Sequence, residues 1–284
     1  MNTKIIDTHV HLWDPDILGY PWFKDIPLLN RPYLLEDYRK AIEGIGIEKV
    51  VFAQAECNPS QYLNEVQWVT DLASKDPIIN GIISWAPMEK GESVRDELDK
   101  LYENKLVKGI RRIIEFETDI DFCIQPDFID SVKLLSIYDF SFDICINHIQ
   151  LENTIKFVKQ CPEVNFILDH IGKPDIKNHI TQPWKSEIKK LSLMPNVSCK
   201  ISGLVNEAKY YEWKKQDLKP YILHIVECFG IDRLIYGGDW PVMLIASQDY
   251  RRWFDVLEGI LKGEFTDHEL HRLYFKNAER IYKL

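Results

Sequence analysis

Eight short apolar runs, each followed by an amphipathic stretch of helical period, predict a (β/α)8 barrel of the TIM type: an α/β fold in one domain over residues 1–284. Two further observations agree. A chain of 284 residues is long for an ordinary domain but normal for this fold, which runs to about 250 residues. Groups capable of chemistry also gather at one predicted end of the strands, where such barrels carry their active sites. An open doubly wound sheet would show the same alternation, but no Gly-rich phosphate turn follows the first run.

In chain order, the predicted strands are Lys4–Asp7, Val50–Gln54, Ile78–Trp85, Lys108–Ile113, Ser141–Cys145, Asn165–Asp169, Val197–Ile201 and Arg233–Tyr236. Each is short and rich in apolar or β-branched residues. The helices between them are Leu35–Ile45, Ser60–Ser74, Ser93–Asn104, Asp127–Tyr138, Leu151–Gln160, Pro183–Leu193, Leu218–Phe229 and Asp249–Leu261, with a further one at Asp267–Tyr274. Leu63, Val66, Val69 and Leu72 show the helical spacing, and Ser60 and Ser93 are expected N-caps. The longest connection, His11 to Leu34, carries Trp13, Pro15, Tyr20, Pro21, Trp22, Phe23, Pro27 and Pro32. Its aromatics and prolines argue for an ordered lid over the barrel mouth, the alternative being a loop packed on the outside.

Apolar residues make up 45% of the chain, enough for a substantial core, and the formal net charge is −9 with no run of Lys or Arg. That argues against nucleic acid or an anionic membrane as partner and leaves a small molecule, with the oligomeric state open. Six dispersed cysteines without a Cys-x-x-Cys pair argue against a disulfide framework. No apolar segment approaches the ~20 residues of a membrane span, and the start lacks a secretory pattern. The expectation is a soluble, cytoplasmic protein.

The first strand runs into Asp7-Thr8-His9-Val10-His11. Side chains alternate along a strand, so His9 and His11 share a face and can together hold a metal or polarise a carbonyl. The fourth strand ends near Arg111 and Arg112, the fifth near Asn147 and His148, and the sixth in Asp169-His170-Ile171-Gly172-Lys173-Pro174. The seventh gives Lys200-Ile201-Ser202-Gly203-Leu204 and the eighth Gly237-Gly238-Asp239-Trp240-Pro241.

Together with Lys108-Gly109-Ile110-Arg111, these segments resemble the amidohydrolase superfamily, and within it the lactonase branch. That branch includes sugar-acid lactonases, such as those for L-fuconolactone and L-rhamnonolactone, and 2-pyrone-4,6-dicarboxylate lactonase. The resemblance implies a lactone hydrolase in which Asp239 is the general base on water. His9, His11 and His170, with Asp239, would hold one metal or bind the carbonyl, and Arg111 would contact substrate. Two-metal members of the superfamily use Lys or Glu at the end of strand four. Arg111 and Arg112 cannot bridge two ions, so the expectation is no metal or a single divalent ion, zinc matching the ligands best. The alternatives are hydrolysis of a pyrone dicarboxylate or muconolactone, and a silent sugar-acid-binding barrel.

Lys173 and Arg111 are candidates for substrate carboxylate or hydroxyls. Trp13, Trp85 and Trp240 are candidates for stacking on a ring, or else apolar filling at the rim. Gly237 and Gly238 would allow ligand and backbone to approach closely. The fifth strand has two possible phases, one turning Asp143, Cys145 and Asn147 inward and the other His148. Register from the histidines would turn Asp7 inward too, where a buried Lys200 needs a carboxylate. An Asp7–Lys200 contact is therefore expected.

Overall fold

The computed structural model describes residues 4–247 and 249–284. Its strands are β1 (Ile5–Val10), β2 (Ile47–Ala53), β3 (Ile79–Ser84), β4 (Val107–Ile110), β5 (Ser141–Ile144), β6 (Phe166–Leu168), β7 (Val197–Ile201) and β8 (Leu234–Tyr236). They form one parallel sheet in sequential order. A short right-handed helical crossover is what lets parallel neighbours follow each other in this way. The helices are α1 (Leu35–Ala41), α2 (Tyr62–Lys75), α3 (Arg95–Tyr102), α4 (Pro126–Tyr138), α5 (Leu151–Gln160), α6 (Trp184–Ser192), α7 (Lys215–Phe229) and α8 (Tyr250–Leu261). After them come α9 (Asp267–His271), a π-helical turn at Arg272–Lys276 and α10 (Asn277–Tyr282). No described helix is long and apolar enough to cross a membrane.

Between β8 and β1 the barrel is joined at its upper end. Asp239 N donates to His9 O at 2.8 Å and His11 N to Trp240 O at 2.7 Å. Lower down, the Thr8 hydroxyl donates to Tyr236 O at 2.6 Å, standing in for a ladder bond. The seam that closes the sheet thus lies directly under the segments predicted to carry chemistry.

Two apolar layers hold the fold. Outward strand residues such as Val50, Ile82, Ile110, Ile144 and Leu168 pack on helix residues including Val69, Leu98, Leu135, Phe157 and Ile222. Inside the barrel, Ile6, Val51, Ile83, Ile167 and Ile235 form a floor that Phe275, Ala278 and Tyr282 plug from below. Each such side chain contributes about 1.5–3 kcal/mol on burial. The final helical segment is therefore part of the barrel interior.

Several boundaries depart from expectation. Helix α1 stops at Ala41 because Gly44 and Gly46 adopt φ of 71° and 84°, beyond the reach of a continuing helix. Neither expected serine cap operates: Ser60 lies in a 3₁₀ turn before α2, and the Ser93 hydroxyl donates to Lys90 O at 2.7 Å. The His11–Leu34 connection is packed around the fully buried Trp13, whose indole N–H donates to Arg31 O at 2.9 Å. Tyr20, Trp22, Phe23 and Tyr33 surround that ring, and the Trp22 N–H reaches Ala55 O at 2.9 Å. Tyr33 in turn lies edge-on to Trp240.

Candidate active site

Strand β1 contains a bulge: Asp7 pairs with Val50 but Val10 with Phe52, three steps against two. A bulge resets the alternation of side chains. Ile6 points into the floor, Asp7 turns outward, and His9 and His11 point inward above. The expected Asp7–Lys200 contact is therefore absent. Asp7 accepts from Tyr250 at 2.6 Å, Tyr38 at 2.9 Å and the backbone N–H of Gly238 at 2.8 Å. Burial pushes its carboxyl up to about 6 despite those donors.

Lys200 does point inward and is completely buried, but its carboxylates come from elsewhere. Its ammonium lies 2.8 Å from Asp143 and 2.9 Å from Asp169. The Tyr282 hydroxyl adds a bond to Asp143 at 2.8 Å. This placement settles the phase of β5: Asp143 and Cys145 face inward, Ile144 and Ile146 outward into the helix layer. Beyond the strand end, both Asn147 and His148 reach the cavity above.

His9 and His11 bring their Nε2 atoms to 3.1 Å from each other. The His11 Nδ1–H donates to Ala53 O at 2.7 Å, which leaves the Nε2 lone pair inward. His9 Nε2 lies 3.1 Å from Arg111 Nη1. A guanidinium only donates, so that nitrogen accepts from Arg111, while Nδ1 lies between Asp169 at 3.4 Å and the Lys200 ammonium at 3.2 Å. Arg111 is itself buried and donates to Gln54 O at 2.5 Å. His170 places Nδ1 at 2.9 Å from the Ser202 hydroxyl. That rotor can donate or accept, so His170 is the imidazole free to choose its tautomer.

Asp239 completes the group. Its Oδ1 lies 3.7 Å from Nε2 of both His9 and His11 and 4.0 Å from that of His170, and its Oδ2 accepts from Asn206 Nδ2 at 3.0 Å. Burial opposes ionisation of this carboxyl, but the facing rings of His170, His11 and His9 outweigh it and hold it well below the usual range. Burial also pushes the imidazoles down, His170 to about 4 against the pull of Asp239. At neutral pH the group is one carboxylate facing neutral rings.

The backbone is bent to achieve this. His170, Ile171 and Lys173 have φ of 52°, 51° and 45°, and Asp239 has 59°. Left-handed non-glycine residues cost of order 1 kcal/mol or more each, and concentrate where a site demands them. The neighbouring glycines serve the same end. A Cβ on Gly203 would lie 2.4 Å from the His170 ring, and one on Gly237 2.9 Å from His9. On Gly238 it would strike Tyr250 and Asp7. The close approach that Gly237 and Gly238 permit is to these side chains, and the expectation of a ligand there is corrected.

A cation fits this donor set. Donor atoms of His9, His170 and Asp239 lie within 4.8 Å of one another, with the inward lone pair of His11 beside them. Imidazole and carboxylate ligands whose outer nitrogens are already bonded are what a zinc site presents. Cys145, Asp169 and His170 also come together, but burial pushes the Cys145 thiol up to about 12 and Asp169 already faces Lys200. The single lone pair of His9 Nε2 can serve an ion or Arg111, but not both at once.

A cavity of about 650 Å³ adjoins the group through Asn206; Asn147, His148, Asp175, Lys177, Glu207 and Tyr210 also line it, but His9, His11, Arg111, His170 and Asp239 do not. Most of its lining residues are polar or charged, and its wall comes from the loops after β5, β6 and β7. Two of the three expected aromatic platforms are sealed away from the cavity. Trp13 is sealed in the loop core, Trp240 is buried against Tyr33 and Tyr38, and Trp85 packs on Tyr62. Trp13 and Trp240 fill the rim because the long first loop needs an apolar core of its own, whereas Trp85 stays half-buried at the end of β3. Lys173 is paired with Glu115, and neither lines the cavity. Asn206, Glu207 and Tyr210 belong to no local motif, and their one signal in the sequence is their position just after the seventh strand.

The sequence matches the family model described as Amidohydrolase over residues 6–284. It is 25% identical to an L-fucono-1,5-lactonase of Burkholderia ambifaria, over 98% of this chain and 95% of that protein. It is 26% identical to an L-rhamnono-gamma-lactonase of Scheffersomyces stipitis, over 99% of each. Its fold is similar to that of a Burkholderia multivorans amidohydrolase crystallised with bound Zn, with a TM-score of 0.89 at 24% identity over 99% of both chains.

Proposed function

This chain belongs to the amidohydrolase family, and on that footing we propose that it is a lactone hydrolase, adding water to the lactone of a sugar acid. One observation carries the reading: Asp239 lies 3.7–4.0 Å from the Nε2 atoms of three imidazoles and is tied through Asn206 to an adjoining cavity. Similarity to sugar-acid lactonases along the whole chain supports the same class.

In this reading Asp239 removes a proton from water as it attacks the lactone carbonyl carbon, a role worth roughly 10²–10⁴ in rate. The ring C–O bond then breaks, and the departing alkoxide takes the proton back from Asp239. Charge developing on the carbonyl oxygen needs fixed positive partners, and single donors of this kind contribute about 2.7–4 kcal/mol. Arg111 is the cation built into the floor, and His170 can turn an Nε2–H toward the oxygen when Ser202 donates to its Nδ1. His9, His11, His170 and Asp239 would hold one divalent ion, zinc by the chemistry of the ligands, and it would supply Lewis-acid polarisation of the carbonyl.

The cavity favours a neutral, hydroxyl-rich substrate. Asp175, Glu207 and Glu212 share it with Lys177 and Lys209, and Lys173 is occupied by Glu115. A pyrone dicarboxylate or muconolactone would call for cations left free. A panel of aldonolactones, with a pyrone dicarboxylate and a muconolactone included, assayed by acid release with a pH indicator, tests the reading. Turnover of at least one aldonolactone is expected. Opening of the dicarboxylate alone would favour the aromatic substrate, and binding of sugar acids without acid release from any lactone would leave a silent barrel.

A further inference from the structure

Asn206 has one half of its amide accounted for and the other half unpartnered. Its Nδ2 donates to Asp239 Oδ2 at 3.0 Å, while its Oδ1 is buried without a hydrogen-bond partner among the described residues. The orientation follows from chemistry, because a carboxylate only accepts and the amide nitrogen must face it. The residue lines the cavity beside Glu207 and sits in the 3₁₀ turn Leu204–Glu207, which starts from Gly203 at φ 66°. The turn therefore places an unused acceptor next to the base, in a residue that lines the cavity. Buried acceptors are almost always satisfied, by protein or by water.

The two oxygens of Asp239 are not equivalent. Oδ1 faces the imidazoles, whereas Oδ2 takes the Asn206 N–H on one lone pair and has a second for one more donor. A water giving one hydrogen to Oδ2 can give its other to Asn206 Oδ1. Both of its hydrogens are then held, and its lone pair is turned outward.

We propose that Asn206 is the water-positioning residue of this site, holding the attacking water jointly with Asp239 so that its lone pair meets the lactone carbonyl carbon. The inference rests on the lactone-hydrolase reading. One water hydrogen passes to Asp239 as the new C–O bond forms, and the other stays on that oxygen against Asn206 Oδ1. The ring C–O bond breaks with its electron pair on the alkoxide, which recovers the proton from Asp239. Water and lactone become one hydroxy acid, with nothing further consumed.

The test compares the wild type with Asn206→Ala and Asn206→Asp on an aldonolactone, with hydroxylamine added as a competing nucleophile. Free acid and hydroxamate are quantified after subtracting the enzyme-free reaction. For Asn206→Ala, kcat is expected to fall about 10–100-fold with KM within about twofold, the signature of lost orientation rather than lost binding. The hydroxamate share should rise at least about fivefold, since hydroxylamine does not depend on a clamp made for two water hydrogens. Asn206→Asp keeps an acceptor but loses the donor, and should fall at least as far. The product ratio is independent of how much of a variant is folded. Near-wild-type kcat in Asn206→Ala, or an equal loss of both products, would overturn the proposal. A wild type that opens no lactone at all would instead overturn the lactonase reading, and this inference with it.

Discussion

Asp239 uses its two oxygens for different tasks, one toward the imidazoles and one toward Asn206 and the cavity. Asp239→Asn keeps the shape but removes the proton acceptor. Its kcat on an aldonolactone is expected to drop by about 10³ or more, with a melting temperature close to wild type. Turnover within about tenfold would show that another group is the base. Gly203 acts on the site through His170. Gly203→Ala places a Cβ 2.4 Å from the His170 Nδ1 at a backbone φ of 66°. Strain of about 1–2 kcal/mol should lower the melting temperature, and displacement of the ring from Ser202 should lower kcat at least about tenfold. Unchanged kinetics would mean that His170 does not need its present position.

At the level of elements, the turn after β2 rests on a buried acid of α2. Glu65 accepts from Ala55 N at 3.2 Å, and burial lifts its carboxyl from 4.5 to about 8. The folded chain thus keeps a proton that the unfolded chain releases. Its contribution to stability is full below about pH 4.5 and is lost as the pH rises toward 8. Glu65→Gln cannot titrate. Its unfolding free energy relative to wild type should therefore climb between pH 5 and about 8 and level off above, as urea melts across that range would read. A difference that stays flat with pH would place an ionised Glu65 in the folded state. The bulge in β1 works at the same scale, since one extra residue turns Asp7 out to the helices and His9 in to the site.

Across the whole molecule, a charged layer separates the apolar floor from the site. Lys200 of β7 lies among Asp143 of β5, Asp169 after β6 and His9 of β1, and Tyr282 of α10 reaches the same cluster from below. Removing one partner of a buried ion pair costs about 3–5 kcal/mol, because the other charge is left unpaired. Lys200→Met is expected to lose stability on that scale, and Tyr282→Phe about 1 kcal/mol for one hydrogen bond, both by chemical denaturation. If Lys200→Met were as stable as wild type, the two carboxyl groups would have to be neutral in the folded chain.

The sequence by itself determined the order of strands and helices, the (β/α)8 architecture and the identity of the residues closing β1, β6 and β8. Periodicity is written in every segment, and a barrel brings strand ends together whatever the loops do. Only the tertiary structure decided which way Asp7 faces, which carboxylates accept Lys200, and that Trp13 and Trp240 are filling rather than platforms. A bulge, a buried ion cluster and a loop core each depend on partners scores of residues away, about which local pattern is silent. Asn206 belongs with these, because an amide after the seventh strand acquires meaning only once the turn at Gly203 sets it against a carboxylate from the eighth.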